Sequence, residues 1–223
     1  MNPEKIYKKL LKKYGPQDWW PILGFKISSD QDIKILRKKV KVFSEKNMFE
    51  ICMGAILTQN TNWQNVEKAI INLKKENLLS PQKILNCHHK HLKKLVRPSG
   101  YFNVKAKKLK MFSKWLLGNY QGRLKKFFKQ PLKECRKELL KVYGIGPETA
   151  DSILLYAGRK KNFMIDAYTV RLCKKHGIEF KSYDQYKEFF EKRLPWSNKI
   201  YNQFHALIVR WGQNKTSTHK KID

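Results

Sequence analysis

The stretch Leu139–Leu172, LLKVYGIGPETADSILLYAGRKKNFMIDAYTVRL, decides how this chain is read. Leu139, Leu140 and Val142 supply an apolar helical face. Gly144-Ile145-Gly146-Pro147 then makes a tight turn, and a second helix opens at Glu148-Thr149-Ala150. A lone carboxylate, Asp166, follows inside the apolar phrase Phe163-Met164-Ile165-Asp166-Ala167-Tyr168. A glycine turn leading into a helix N-terminus is an anion site, because unpartnered backbone N–H groups and the positive end of the helix dipole point outward. Glycine lets that backbone approach a phosphate closely. The amides of Gly144 and Gly146, with Thr149 at the helix start, are therefore the expected phosphate contacts.

Working outward, the charge names the anion. The 223 residues carry 48 Lys+Arg against 18 Asp+Glu, a formal net charge of +30. Such a field steers a protein to polyanions, nucleic acid first. With 41% hydrophobic and 13% aromatic residues the chain can still build a packed interior, so it is not a basic tail. No apolar run approaches the ~20 residues that span a bilayer. Lysines interrupt every apolar stretch of MNPEKIYKKLLKKYG, which excludes a signal peptide and favours a short amphipathic helix. Cys52, Cys87, Cys135 and Cys173 are far apart with no C-x-x-C pair. They read as reduced thiols of an intracellular, cytoplasmic protein rather than as metal or cluster ligands. His88, His89 and His91 beside Cys87 read as a solvated basic helix end.

Periodicity and punctuation predict an all-α fold. Helices are expected over residues 6–14, 30–47 with Asp30 as N-cap, 48–57, 63–75, from Pro81 to the histidines, 91–96, and 104–117 with Asn103 as cap. The hairpin pair is expected near 132–142 and 148–157, and later helices near 166–176, 183–193 and 197–211. Strand-length alternation looks scarce. The last nine residues, KTSTHKKID, read as frayed.

The hairpin, its Gly/Pro turn and the apolar-flanked Asp166, in this order and spacing, resemble the HhH-GPD superfamily of DNA glycosylases, the endonuclease III relatives. LVRPSGYFNVKAKKL, GAILTQNTNW and FHALIVRWGQNK resemble further phrases of that family, so the likeness covers nearly the whole chain. It implies two helical lobes with a helix-hairpin-helix motif and a DNA cleft between the lobes. The expected division is 1–43 with 158–223 for the N/C-terminal lobe and 44–157 for the central lobe. Family members with an iron–sulfur cluster continue into a four-cysteine loop, which this sequence lacks. No cofactor is therefore expected; the resemblance allows a monovalent cation at the hairpin carbonyls. The expected partner is double-stranded DNA with a damaged base, bound by a monomer, with no membrane involved.

Chemistry follows residue by residue. Breaking an N-glycosidic bond builds positive charge on the sugar, and a carboxylate in a low-dielectric cleft stabilises that charge and orients water. Asp166 matches the family's catalytic Asp; it also suits an N-cap of the next helix. At Glu148 the lyase branches carry lysine, the Schiff-base nucleophile. Glu there implies a monofunctional, water-using glycosylase, and the residue either touches the base or faces the helix dipole. A flipped base needs a pocket. Trp19-Trp20-Pro21 and Trp63 are the candidate walls, since an indole face suits a cationic alkylated purine. Tandem tryptophans followed by Pro, with an aromatic four residues after Gln59, resemble the 3-methyladenine DNA glycosylase III branch. Trp20 suits core equally. Gln59 lies where relatives fill the gap left by the flipped base; the alternative is a loop residue bonded to backbone. Lys105, Lys107, Lys108 and Lys110 form a second basic tract, either DNA contact or solvated face. The expected function is excision of 3-methyladenine or 7-methylguanine. The rivals are a glycosylase for uracil, mismatched thymine or oxidised purine, and a non-catalytic DNA-binding module.

Overall fold

The computed structural model describes residues 1–27, 33–39 and 43–218. The chain divides into two compact units. The central unit runs Trp20–Gly158; the other joins Met1–Trp19 to the segment from Arg159 onward.

The central unit is built around α2 (Glu45–Leu57). Ser44 caps it by accepting from the Asn47 amide, and Phe49 through Leu57 are buried without interruption. A helix apolar on every side belongs in the middle of a core. Around it come α3 (Trp63–Lys75), capped by Asn62, then α4 (Pro81–Asn86) and α5 (His89–Val96). A short 3₁₀ turn, Arg97–Ser99, leads to α6 (Phe102–Tyr120) and α7 (Leu124–Phe128). The hairpin is α8 (Leu132–Lys141) and α9 (Pro147–Ser152), the latter continuing as a π turn over Ile153–Ala157.

Two expectations of secondary structure are corrected. In place of a helix over 30–47, Ile22–Ile27 (β1) and Ile33–Lys38 (β2) pair antiparallel, from Ile22↔Lys38 to Ile27↔Ile33. Asp30, the expected N-cap, lies outside the described residues. Ile33 and Leu36, three apart, suit one helix face, but in the strand they point to opposite faces: Ile33, Ile35 and Arg37 lie across from Ile27, Phe25 and Leu23, and Leu36 across from Gly24. Tertiary bonds settle the competition. The Leu23 amide donates to buried Glu50 at 2.7 Å, and Lys74 pairs with the same carboxylate at 2.7 Å while donating to the Leu23 carbonyl. That anchoring places residues from Trp20 in the central unit, ahead of the boundary expected after residue 43. Burial raises the Glu50 pKa, offset in part by Lys74 and the Leu23 amide. The second correction concerns Asn103, which lies inside α6. The cap position is Tyr101 at φ 44, following Gly100 at φ 70, so the chain turns into the helix two residues early.

The terminal unit contains α1 (Pro3–Tyr14), α10 (Ala167–Lys175), α11 (Tyr183–Glu191) and α12 (Asn198–Thr218). Its core is aromatic. Phe163 stacks on Phe190 at 4.6 Å, Tyr201 meets Phe163 edge-on, and Tyr7 meets Phe204 at 5.5 Å. Among the described residues no helix is long and apolar enough to cross a membrane.

Candidate active site and DNA interface

The hairpin turn is held from outside itself. Gly144 sits at φ +78, and a Cβ there would come 2.5 Å from Lys108 Cε, so the lysine stem occupies the space a side chain would need. The Gln59 amide donates to the Gly144 carbonyl at 3.0 Å and to Thr149 Oγ1 at 2.8 Å; Lys108 donates to Gln59 Oε1. Gln59, Thr149 and Lys108 are thus engaged with one another across the turn, and burial lowers the Lys108 pKa. Gly146 differs. It is exposed, it opens α9, and a Cβ there would meet nothing within 4 Å. Glu148 is exposed in the first turn of α9.

The lysine tract does not form one surface. Lys105 is only 2% exposed and donates to the carbonyls of Leu57, at 2.8 Å, and Ser99, at 2.6 Å. Its assignment to the DNA-contacting surface is therefore corrected: it closes the C-terminal end of α2. Burial, with Lys108 adding repulsion, pushes its pKa down to about 8. Lys107 is exposed, its ammonium 4.6 Å over the Tyr143 ring, while Lys110 donates to the Leu85 carbonyl.

The tryptophan phrase splits. Trp19 is half-buried at the end of the first terminal segment, whereas Trp20 and Pro21 are buried in the central unit. Trp20 meets Trp63 edge-to-face at 4.9 Å and 88°, and rests on Tyr156 of the π turn at 5.3 Å. Gly54 makes the room, since a Cβ there would come 2.7 Å from Trp20 Cζ2. Trp63 is half-buried at the start of α3 and donates its indole N–H to Glu67 Oε1 at 2.7 Å.

In the terminal unit Asp166 is the N-cap of α10. Its Oδ1 accepts from the Thr169 amide at 2.7 Å and from the Thr169 hydroxyl at 2.8 Å. The other oxygen lies 3.4 Å from Nε2 of buried His205, on α12. Burial raises the carboxyl pKa, but the His205 charge and hydrogen bond, with both Thr169 bonds, outweigh it and hold it below the ordinary value. The approach to Asp166 is pinned as well: Phe163 N donates to Glu191 at 2.8 Å, and Ile165 N to the Tyr183 hydroxyl at 3.1 Å. The N-cap and carboxylate readings therefore hold together, since capping fixes where the free oxygen points.

Sequence reasoning missed His205, Thr169, Glu67 and Arg37. His205 left one signal, a lone titratable residue inside the apolar run Phe204-His205-Ala206-Leu207-Ile208. Among the described residues no three His, Cys, Asp or Glu side chains come together as a metal site.

Comparison with known proteins agrees with this geometry. Residues 53–196 match the HhH-GPD superfamily of base excision DNA repair proteins. A Methanocaldococcus jannaschii protein with a provisional DNA repair glycosylase name is 46% identical over 209 residues, covering 92% of this chain and 84% of that one. Endonuclease III of Thermotoga maritima is 24% identical over 181 residues, covering 81% and 80%. The crystal structure of the H. pylori 3-methyladenine DNA glycosylase MagIII, bound to 1,N6-ethenoadenine, superposes with a TM-score of 0.76 at 30% identity, covering 96% of this chain and 99% of that one. A helical fold, a glycine hairpin and a capped carboxylate converge with these matches on one conclusion: the chain belongs to the HhH-GPD superfamily and is a DNA glycosylase of base-excision repair.

Proposed function

We propose that this glycosylase is monofunctional and hydrolyses the N-glycosidic bond of alkylated purines flipped out of duplex DNA. The observation that carries the chemistry is Asp166, a half-buried carboxylate whose pKa His205 and Thr169 hold below the ordinary value. In the proposed reaction the C1′–N bond breaks with its electron pair leaving on the base. Asp166 stabilises the cationic sugar, water attacks C1′, and the water's proton passes to the carboxylate or to solvent. A base already cationic from N3- or N7-methylation leaves neutral and needs no strong general acid.

Three further features support the finer reading. Trp63, half-buried and supported by the buried Trp20, offers an indole wall suited to a cationic base. The MagIII protein, similar over almost the whole chain, acts on 3-methyladenine by its name. Glu148 stands in the hairpin where lyase branches carry an amine nucleophile, which favours water over Schiff-base chemistry. Gly146 is the proposed phosphate anchor, being the open, exposed end of the turn, and Lys107 the basic-tract residue best placed to join it. Gln59 and Thr149 then act by shaping the hairpin.

The test is a panel of duplexes, each with one lesion, scored for base release before and after alkali. Release of 3-methyladenine and 7-methylguanine ahead of uracil, hypoxanthine and 8-oxoguanine, with strands cut only after alkali, is the expected result. Faster release of uracil or 8-oxoguanine overturns the substrate class.

A further inference from the structure

Trp63 is held by a carboxylate that is itself held by the β-hairpin. Glu67, one helical turn on in α3, is 2% exposed. Its Oε1 accepts the Trp63 indole N–H at 2.7 Å and the Arg37 Nε–H at 2.5 Å, and its Oε2 accepts from Arg37 Nη2 at 2.6 Å. Arg37 reaches down from β2 with its side chain half in solvent. Bidentate pairing fixes the plane of the carboxylate, and the carboxylate fixes the indole. Trp20, wedged over Gly54 and Tyr156, packs nearly perpendicular to the same ring at 4.9 Å. An indole N–H needs one acceptor, and a backbone carbonyl would satisfy it. With Arg37 half in solvent the ion pair itself adds little to folding.

We infer that Arg37 and Glu67 are positioning residues that set substrate preference, by orienting Trp63 and enriching its π face for a cationic base. The physical reason is polarisation. A carboxylate accepting the N–H pushes electron density into the indole and deepens the negative potential over its face, which attracts a cation and does nothing comparable for a neutral ring. This rests on the proposed reading of Trp63 as a wall of the alkylpurine pocket. It gives the β-hairpin a role as the outer clamp of that wall.

The experiment compares single-turnover excision of 7-methylguanine, a cationic base, with hypoxanthine, a neutral one. The proteins are the full chain, Glu67→Gln, Trp63→Phe and the double variant. Gln keeps an acceptor for the indole but removes the charge. Glu67→Gln should lower the methylguanine-to-hypoxanthine rate ratio about three- to tenfold. In the Trp63→Phe background, which has no N–H to polarise, the same change should leave the ratio unmoved. If Glu67→Gln does not fold, the neutral pair Arg37→Gln with Glu67→Gln is read in its place, because it leaves no charge unpartnered. An unchanged ratio, or equal loss on both bases, reduces the pair to a structural brace and overturns the inference. A wild-type chain that releases no methylated purine overturns the substrate reading and this inference with it. Excision with an unmoved ratio overturns this inference alone.

Discussion

His205 Nε2 lies 3.4 Å from Asp166 Oδ2, while Thr169 occupies the other carboxylate oxygen twice. One residue therefore caps a helix, pairs with a histidine and stays ionised. Asp166→Asn preserves the cap, because Asn is among the best N-cap residues, yet it removes the charge. Base release should fall by a factor on the order of 10²–10⁴ with the fold intact and DNA binding retained. Near-normal rates in a single-turnover assay would leave Asp166 as a cap alone.

The pH dependence follows from the same contact. Asp166 is held below its ordinary pKa, so it is ionised throughout the neutral range. A depressed carboxylate contributes stability that is present above its unfolded pKa and is lost as pH falls through the folded value. In His205→Gln the strongest lowering influence disappears and Thr169 alone is left to oppose burial, so the carboxyl pKa rises. The acid limb of the single-turnover pH–rate profile should move to higher pH in that variant. A limb that stays in place would mean His205 does not govern the ionisation of Asp166.

Gly144 and Gly146 separate folding from binding. Gly144→Ala forces a side chain into the left-handed region and against the Lys108 stem, so its first effect should be on stability, at least about 1 kcal/mol, seen in thermal melts. At Gly146 a side chain meets open space. Gly146→Leu should fold normally and yet weaken binding to all duplexes alike with a shallower salt slope, because it blocks phosphate approach. A folded Gly146→Leu protein with wild-type affinity and salt dependence would remove the hairpin as anchor.

Much of this was legible in the sequence, for identifiable reasons. Helix α3 spans Trp63–Lys75 as its Val66/Ile70/Leu73 spacing and Asn62 cap require. The hairpin helices, and Asp166 at the head of α10, follow from Gly, Pro and cap residues acting within a turn of themselves. What stayed hidden depends on residues distant in sequence. The β-hairpin is fixed by Glu50 and Lys74, the Trp63 indole by Glu67 and through it Arg37, the Asp166 ionisation by His205, and the hairpin turn by Gln59. Lys105 shows the same limit in reverse: a charge in a basic run reads as surface until two carbonyls, on Leu57 and Ser99, are found around it.

Lys105 makes stability pH-dependent in the alkaline range. Its folded pKa of about 8 lies below the ~10.4 of an unfolded lysine. Between those values the unfolded chain binds more protons, so this group's contribution makes stability rise with pH across the window. Below about pH 8 it is charged in both states and its burial cost is constant. The full swing is on the order of 3 kcal/mol. Lys105→Met removes the titration. Chemical denaturation at pH 7 and pH 10 should show the wild type gaining on the variant at the higher pH; a constant gap would place the titration elsewhere.

Trp20 and Trp63 should respond differently to truncation, although they touch. Trp20 is 8% exposed, packed over Gly54 and against Tyr156, so Trp20→Ala opens a cavity and should cost about 3–5 kcal/mol of stability. Trp63 is half-buried and stands at the first position of α3, so Trp63→Ala loses less packing. Its stability cost comes mainly from leaving Glu67 with Arg37 as its remaining partner. The activity effects should run the other way. If Trp63 is the face against which a cationic base rests, its loss should reduce release of 3-methyladenine and 7-methylguanine by the equivalent of about 1–3 kcal/mol. Release of a neutral base should fall less, because area is lost for both substrates while the cation–π contribution is lost for the charged one alone. Trp20→Ala, assayed well below its lowered melting temperature, should change both substrates in proportion, since that ring acts by supporting Trp63 edge-on. The measurement is single-turnover excision on matched duplexes beside a thermal melt of each variant. A Trp63→Ala protein that loses stability like Trp20→Ala and keeps the wild-type substrate ratio would return both tryptophans to the core and leave the alkylpurine pocket to be sought on other residues.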